Sequence, residues 1–142
     1  MPISTSGLTA QARSVIAAAK LEAHSLSDGN PRPEHLLLAL ARADSSLAAT
    51  TLDRLGVDRH RLAWEMLEQL ASEPRVRART RTMEDCMQRA GDLARAGRHS
   101  LIGTEHLLLA SVEAGCDGIA ALSSANELTF SRVDAMISSL ST

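Results

Sequence analysis

Aromatic residues are almost absent from this chain. Its 142 residues include no tyrosine, one phenylalanine, Phe130, and one tryptophan, Trp64. Because strands are rich in aromatic and β-branched side chains, this shortage argues against a sheet-rich protein. Alanine, leucine, arginine and glutamate are abundant instead, and all four are good helix formers. The composition therefore predicts an all-α protein.

Strong charge, paired cysteines and long apolar runs are missing as well. The formal net charge of −2 argues against a generally basic surface for nucleic acids. Cys86 and Cys116 do not form a Cys-x-x-Cys pair, and we interpret both as buried, inert thiols. No apolar run approaches the ~20 residues that a membrane-spanning helix needs. The polar start at Met1–Gly7 does not resemble a signal peptide, so we expect a cytoplasmic location without a membrane partner.

Motifs for catalysis are also lacking. There is no Gly-x-x-x-x-Gly-Lys-Ser/Thr phosphate loop, and Lys20 is the only lysine, which excludes ATP hydrolysis by that route. His35 and His106 each follow a glutamate, but Glu-His-Leu-Leu-Leu lacks paired metal ligands at i and i+4. We expect both imidazoles to pack internally or to hydrogen-bond a backbone carbonyl. The sequence predicts no enzyme, no catalytic residue, no metal site and no cofactor.

What the chain does contain is an internal repeat. The string Glu-His-Leu-Leu-Leu-Ala occurs at Glu34–Ala39 and again at Glu105–Ala110, so the offset is 105 − 34 = 71. Further identities at this offset are Thr9 with Thr80, Ala19 with Ala90, Ala23 with Ala94, Ala43 with Ala114 and Arg61 with Arg132. Repeats of this kind indicate duplicated structural units that cover one another. We predict one compact domain over residues 1–142, with repeat one at about 8–71, a linker at about 72–79 and repeat two at about 80–140.

Apolar spacing and capping residues predict four helices in each half. In the first half they run from Thr9 through Ala23, over Glu34–Ala43, over about Leu47–Leu55, and from Asp58 through Leu70. Gly56 suits a left-handed cap after the third helix. In the second half, helices are predicted to begin at Thr80 or Thr82, at Thr104-Glu105 and at Thr129. The remaining predicted helix is short and spans Ile119–Ala125. We predict eight helices and no strands, as two pseudo-twofold-related four-helix repeats whose leucine runs meet at the centre.

These duplicated motifs resemble the Clp N-terminal repeat. The first copy carries Thr9, an Ala-rich helix, Glu-His-Leu-Leu-Leu-Ala and Leu55–Val57, and the second carries Ile102–Leu109 in a closer match. This repeat occurs doubled at the front of Clp/Hsp100 unfoldases of the ClpC and ClpA types. The resemblance implies an all-α domain that docks protein substrates, adaptors or regulators and performs no chemistry itself. Two versions stay open, the N-domain of a longer ATPase and a free-standing adaptor or decoy.

The resemblance also implies candidate binding residues. In ClpC-type relatives each repeat can bind phosphoarginine, and the matching positions here are Thr9 with Glu34 and Thr80 with Glu105. A carboxylate pairs bidentately with a guanidinium, while a threonine hydroxyl and free N–H groups at a helix start bind phosphate oxygens. We expect two acidic pockets that face water. The same residue types are ordinary helix caps, so capping stands as the alternative account.

Neighbouring residues define a possible rim around these positions. ClpC-type domains commonly place phenylalanine before the capping threonine, as a contact for peptides and cyclic-peptide antibiotics, and here Leu8 and Arg79 stand there. The first repeat has Arg32-Pro33 where the second has Gly103-Thr104. Proline removes one backbone donor, and the arginine is near enough in sequence to pair with Glu34. The rim residues are Leu8, Arg79, Arg32 and Thr104.

An arginine-rich linker supports an alternative function. Arg75, Arg77, Arg79 and Arg81 alternate through residues 75–81. Arginines bind nucleic-acid phosphates, but no aromatic side chain accompanies them to stack on bases. A solvated linker is the preferred interpretation, and a helical DNA-binding or transcriptional regulator is the alternative.

Overall fold

Helices make up most of the described part of the chain. The computed structural model describes residues 8–25, 33–44, 46–72, 83–98, 101–114 and 130–141. Its seven helices are α1 (Ala10–Ser25), α2 (Pro33–Arg42), α3 (Leu47–Arg54), α4 (Arg59–Ser72), α5 (Met83–Ala96), α6 (Thr104–Ala114) and α7 (Phe130–Ser141). Within these ranges the extended backbone is limited to an isolated parallel bridge between Leu8 and Ile102. The all-α prediction is confirmed, and the predicted short helix Ile119–Ala125 lies outside the described residues.

The helices recur with the period of the sequence repeat. The starts of α2 and α6 differ by 104 − 33 = 71, and those of α4 and α7 by 130 − 59 = 71. The ends of α1 and α5 show the same offset, 96 − 25 = 71. Duplicated sequence therefore gives duplicated helix boundaries, which is what two copies of one helical unit require.

The leucine-rich helices α2 and α6 lie at the centre of the fold. Helix α2 contacts α1, α3, α4, α5 and α6, so other helices surround it. Its leucines Leu36, Leu37, Leu38 and Leu40 are fully buried, as are Leu107 and Leu108 of α6. A helix that is apolar on every side is stable in water only when neighbours cover it all round. The prediction that the two leucine runs meet at the centre is confirmed.

Short polar side chains set the helix starts. Thr9 Oγ1 accepts an N–H from the first turn of α1 at 3.1 Å. Asp58 Oδ1 does the same for α4 at 3.2 Å, and Ser46 Oγ for α3 at 3.0 Å. Each bond satisfies a donor that has no partner inside its own helix. The predicted caps at Thr9 and Asp58 are confirmed.

Helix α3 ends in a glycine-dependent turn. Gly56 has a φ of +82°, in the left-handed region that glycine adopts without strain. The N–H of Val57 donates to Leu52 O at 3.0 Å, and that of Gly56 to Asp53 O at 3.1 Å. These two bonds form a Schellman motif, which satisfies carbonyl groups at the helix end. The predicted left-handed cap is confirmed.

Substitution of Gly56 by alanine is expected to lower the free energy of unfolding by about 1 kcal/mol, because left-handed backbone strains residues with a Cβ. No described atom lies within 4 Å of the added Cβ, so backbone strain is the cause. Urea denaturation measures the effect. Gly91→Ala is the matched control, since its Cβ meets Ile102 Cδ1 at an ordinary 3.5 Å inside α5. Equal midpoints for wild type and Gly56→Ala would contradict the prediction.

Candidate functional site

The start of α6 is built by a reciprocal pair of hydrogen bonds. Gly103 O accepts the N–H of His106 at 3.1 Å, and His106 Nδ1 accepts the N–H of Gly103 at 2.9 Å. The second bond is the side-chain-to-N-cap half of a capping box, with histidine in place of the usual glutamate or glutamine. The Gly103 N–H is therefore already bonded, and the N–H groups of the first turn begin at Thr104.

His106 has a structural role at this helix start. Its side chain is only 5% exposed, so the imidazole is packed internally, as the sequence predicts. Its Nδ1 serves as the acceptor for the Gly103 N–H, so the imidazole helps to cap α6. No group of three or more histidine, cysteine or acidic side chains in the described ranges is arranged to hold a metal ion.

Glu105 folds back over the beginning of α6. The residue is half-buried, and its carboxylate lies directly against the Cα of Gly103. A Cβ at Gly103 would lie 2.9 Å from Glu105 Cδ and 3.2 Å from Oε2, and closer still to Oε1. Glycine at position 103 is therefore necessary for this side-chain position. The N-terminal end of the helix dipole stabilises the negative charge held there.

Glu34, the matching residue of the first repeat, is placed differently. It is only 2% exposed, and Pro33 and His35 on either side of it are also buried. Glu34 is therefore shielded from solvent more completely than Glu105, which is half-buried. The expectation of two equivalent pockets facing water is wrong for the first repeat.

Thr9 is held beside the segment that precedes α6. Its N–H donates to Ile102 O at 3.0 Å, next to the bridge between Leu8 and Ile102. Helices α1 and α6 also contact one another. The sequence pairs Thr9 with Glu34 of its own repeat, but the structure bonds the Thr9 backbone to the other repeat, close to Gly103.

Two predicted rim residues are inside the fold. Leu8 is 3% exposed and belongs to the hydrophobic core, because the bridge to Ile102 draws it inward. Thr104 is 2% exposed, and its Oγ1 accepts the N–H of Ala48 at 3.1 Å. The rim positions predicted for Leu8 and Thr104 are therefore corrected to buried ones. Arg32, Arg79 and Thr80 lie outside the described residues.

A separate open groove of about 470 Å³ runs along α1 and the connection from α2 to α3. Small side chains make up much of its lining, which consists of Ala10, Gln11, Ser14, Val15, Ala18, Glu22, Ala39, Arg42, Ala43, Asp44 and Ser46. An ion pair between Glu22 and Arg42 joins the two helices beside it. Sequence reasoning missed this groove because alanines on a helix are typical of close packing as well.

Arg59 fixes the α2–α3 connection at the edge of this groove. It donates to Asp53 Oδ1 at 2.8 Å, Asp44 Oδ1 at 2.9 Å and Ala41 O at 3.1 Å. The hydrogen bond to Asp53, followed by that to Asp44, raises the pKa of the Arg59 guanidinium above its usual value. The side chain stays charged and links α4 to both neighbouring segments.

The duplicated helical unit matches a known family. The model of the Clp repeat (R) N-terminal domain matches residues 7–126. The chain belongs to this family. The resemblance inferred from the duplicated motifs is thereby confirmed. No described helix of this Clp repeat domain is long and apolar enough to cross a membrane.

Curated relatives are much longer than this Clp repeat domain. The chain is 33% identical over 117 residues to the negative regulator of genetic competence ClpC/MecB of Bacillus subtilis (strain 168), covering 80% of this chain and 14% of that protein. It is 33% identical over 116 residues to the chaperone protein ClpB of Oceanobacillus iheyensis, covering 80% of this chain and 14% of that protein. The chain thus spans about 14% of the length of these relatives.

A solved structure shares the fold. The Hsp104 N-terminal domain from Candida albicans superposes with a TM-score of 0.73 at 16% identity, over 92% of this chain and 88% of that one. A second structure, from a study of a malarial protein secretion system, gives a TM-score of 0.75 at 18% identity, over 93% and 92% of the two chains. At these identities the similarity shows a common fold.

Proposed function

We propose that this Clp repeat domain is a non-enzymatic, cytoplasmic protein-binding module of a Clp unfoldase or protease system. It recognises protein substrates, adaptors or regulators. Membership of the Clp repeat family supports this function, together with relatives that are named as Clp proteins. As the N-domain of a longer ATPase it delivers clients, and as a free-standing adaptor or decoy it competes for them. Both versions use the same binding surface.

Phosphoarginine is the proposed ligand at the start of α6. The half-buried carboxylate of Glu105 lies at this helix start and is the observation that carries the proposal. A carboxylate binds a guanidinium through two parallel hydrogen bonds. The positive end of the α6 dipole, at this helix start, favours the negatively charged phosphate group.

The other predicted binding residues have less support from the structure than Glu105 has. Glu34 is buried, so Glu105 is the proposed main contact of the guanidinium. The contributions of Thr9 and Thr80 stay predictions, and Thr80 lies outside the described residues. Leu8 is buried and does not form the predicted apolar rim, and binding of cyclic-peptide antibiotics stays a prediction. Protein partners and phosphoarginine-marked proteins are the partners that we propose.

Substitution of Glu105 by glutamine is expected to weaken phosphoarginine binding at least tenfold, because hydrogen bonds between charged groups contribute about 1.5–3 kcal/mol. Isothermal titration calorimetry with free phosphoarginine measures the loss. Glu84→Gln is the matched control, since Glu84 is an exposed acidic residue in the first turn of α5 and should leave binding unchanged. Absence of heat from the wild-type protein at millimolar phosphoarginine would remove the ligand proposal.

A DNA-binding regulator remains the alternative from another functional class. Its supporting residues, Arg75–Arg81, lie outside the described residues, so this alternative stays a prediction. Electrophoretic mobility shift at several salt concentrations tests it. Steep, salt-dependent DNA binding would favour it, because each neutralised phosphate releases counterions.

A further inference from the structure

The two repeats contain the same six-residue string but present its glutamate in different ways. Glu105 is half-buried beside Gly103, whereas Glu34 is 2% exposed. We infer that the second repeat alone supplies the acidic binding site, and that Gly103 is the positioning residue that makes it available. The inference rests on the proposed function, since it concerns the same ligand.

Gly103 acts through the space that its missing side chain leaves. The Glu105 carboxylate lies against the Gly103 Cα, and a Cβ there would be 2.9 Å from Glu105 Cδ. Real Cβ atoms do not approach other atoms this closely, so any larger residue displaces the carboxylate from the helix start. The displaced group is the far end of a flexible side chain, which moves at little cost to the fold.

Residue 103 is also fixed from the backbone side. His106 Nδ1 accepts its N–H at 2.9 Å, and Gly103 O accepts the N–H of His106 at 3.1 Å. The neighbouring Ile102 O accepts the N–H of Thr9 at 3.0 Å. The platform beneath the Glu105 carboxylate therefore combines the start of α1 from one repeat with the start of α6 from the other.

The first repeat lacks both features in its sequence. Arg32 stands at the sequence position equivalent to Gly103 and carries the side chain that Gly103 lacks. Pro33 stands in place of Thr104 and has no N–H, so the first turn of α2 has one backbone donor fewer than that of α6. Both differences disfavour a second site at Glu34, whose side chain is buried.

Titration calorimetry with free phosphoarginine tests the inference on the full chain. We expect one equivalent bound by wild type, at least tenfold weaker binding by Gly103→Ala, and unchanged binding by Glu34→Gln. Gly91→Ala is the matched glycine control, because its Cβ makes only an ordinary 3.5 Å contact. Thermal unfolding of Gly103→Ala is expected to stay within a few degrees of wild type.

A double-mutant cycle distinguishes loss of binding through displacement of the Glu105 carboxylate from loss of binding through a general disturbance of the fold. In the Glu105→Gln background, Gly103→Ala is expected to cause no further loss of binding, because the charge that it displaces is already absent. Two equivalents bound by wild type, or full affinity in Gly103→Ala, would overturn the inference and leave the proposed function standing. No binding by wild type would overturn both.

Discussion

Replacement of Leu108 by alanine is expected to lower the free energy of unfolding by about 3 kcal/mol, within the range for fully buried leucines. Leu108 is 0% exposed and lies on α6, which contacts α1, α2, α3, α5 and α7. Helices on all sides restrict collapse around the missing methyl groups, so a cavity remains and adds to the lost transfer free energy. Urea denaturation followed by circular dichroism at 222 nm measures the change.

The internal repeat and the surface provide two comparisons for this substitution. Leu37 occupies the equivalent position of the first repeat (108 − 71) and is also 0% exposed, so Leu37→Ala is expected to lose a similar amount. Leu21, which is 69% exposed on α1, is the control, and its replacement by alanine should have an effect near zero. If Leu21→Ala and Leu108→Ala were equally destabilising, the central position of α6 would be contradicted.

Local signals in the sequence were enough to predict most of the helix boundaries. Thr9 and Asp58 cap the helices that their hydroxyl and carboxylate oxygens favour, and Gly56 ends α3 with a positive φ. These signals act between residues of a single helical turn, so they can be recognised from the amino-acid sequence without knowledge of the fold. The constant offset between the two copies then related one half of the fold to the other.

Contacts between the repeats could not be predicted in the same way. The bridge from Leu8 to Ile102 and the bond from Thr104 to Ala48 join residues that are far apart in the chain. Such partners depend on how the two units pack, and no local spacing encodes that arrangement. For this reason Leu8 and Thr104 were predicted at a rim and were found in the interior.

The candidate site was likewise predicted in part from local sequence and in part not. The repeated string identified Glu34 and Glu105 correctly as first-turn residues of α2 and α6. It could not separate them, because six identical residues give identical local expectations. The difference between Arg32 and Gly103 was visible in the sequence. Its effect on the glutamate could be inferred only once the position of the Glu105 carboxylate against Gly103 was known.

The Thr104 hydroxyl is the basis of the remaining large prediction. Its Oγ1 accepts the N–H of Ala48 at 3.1 Å in a buried position, and this bond joins the start of α6 to the start of α3. Valine keeps the shape of threonine but cannot accept, so Thr104→Val leaves a buried N–H without that acceptor. The expected loss in the free energy of unfolding is about 2 kcal/mol, the usual penalty for an unsatisfied buried donor.

Two further variants distinguish the lost acceptor from other effects of valine. Thr104→Ser keeps the hydroxyl and loses only a methyl group, so it should destabilise less than Thr104→Val in urea denaturation. Thr50→Val is the matched surface control, because Thr50 is exposed on α3 and should change stability by roughly 0.5 kcal/mol or less. Hydrogen exchange of the Ala48 amide gives a local measurement, and faster exchange is expected in Thr104→Val alone. If Thr104→Ser proved as damaging as Thr104→Val, packing of the methyl group would replace the hydrogen bond as the link between the repeats.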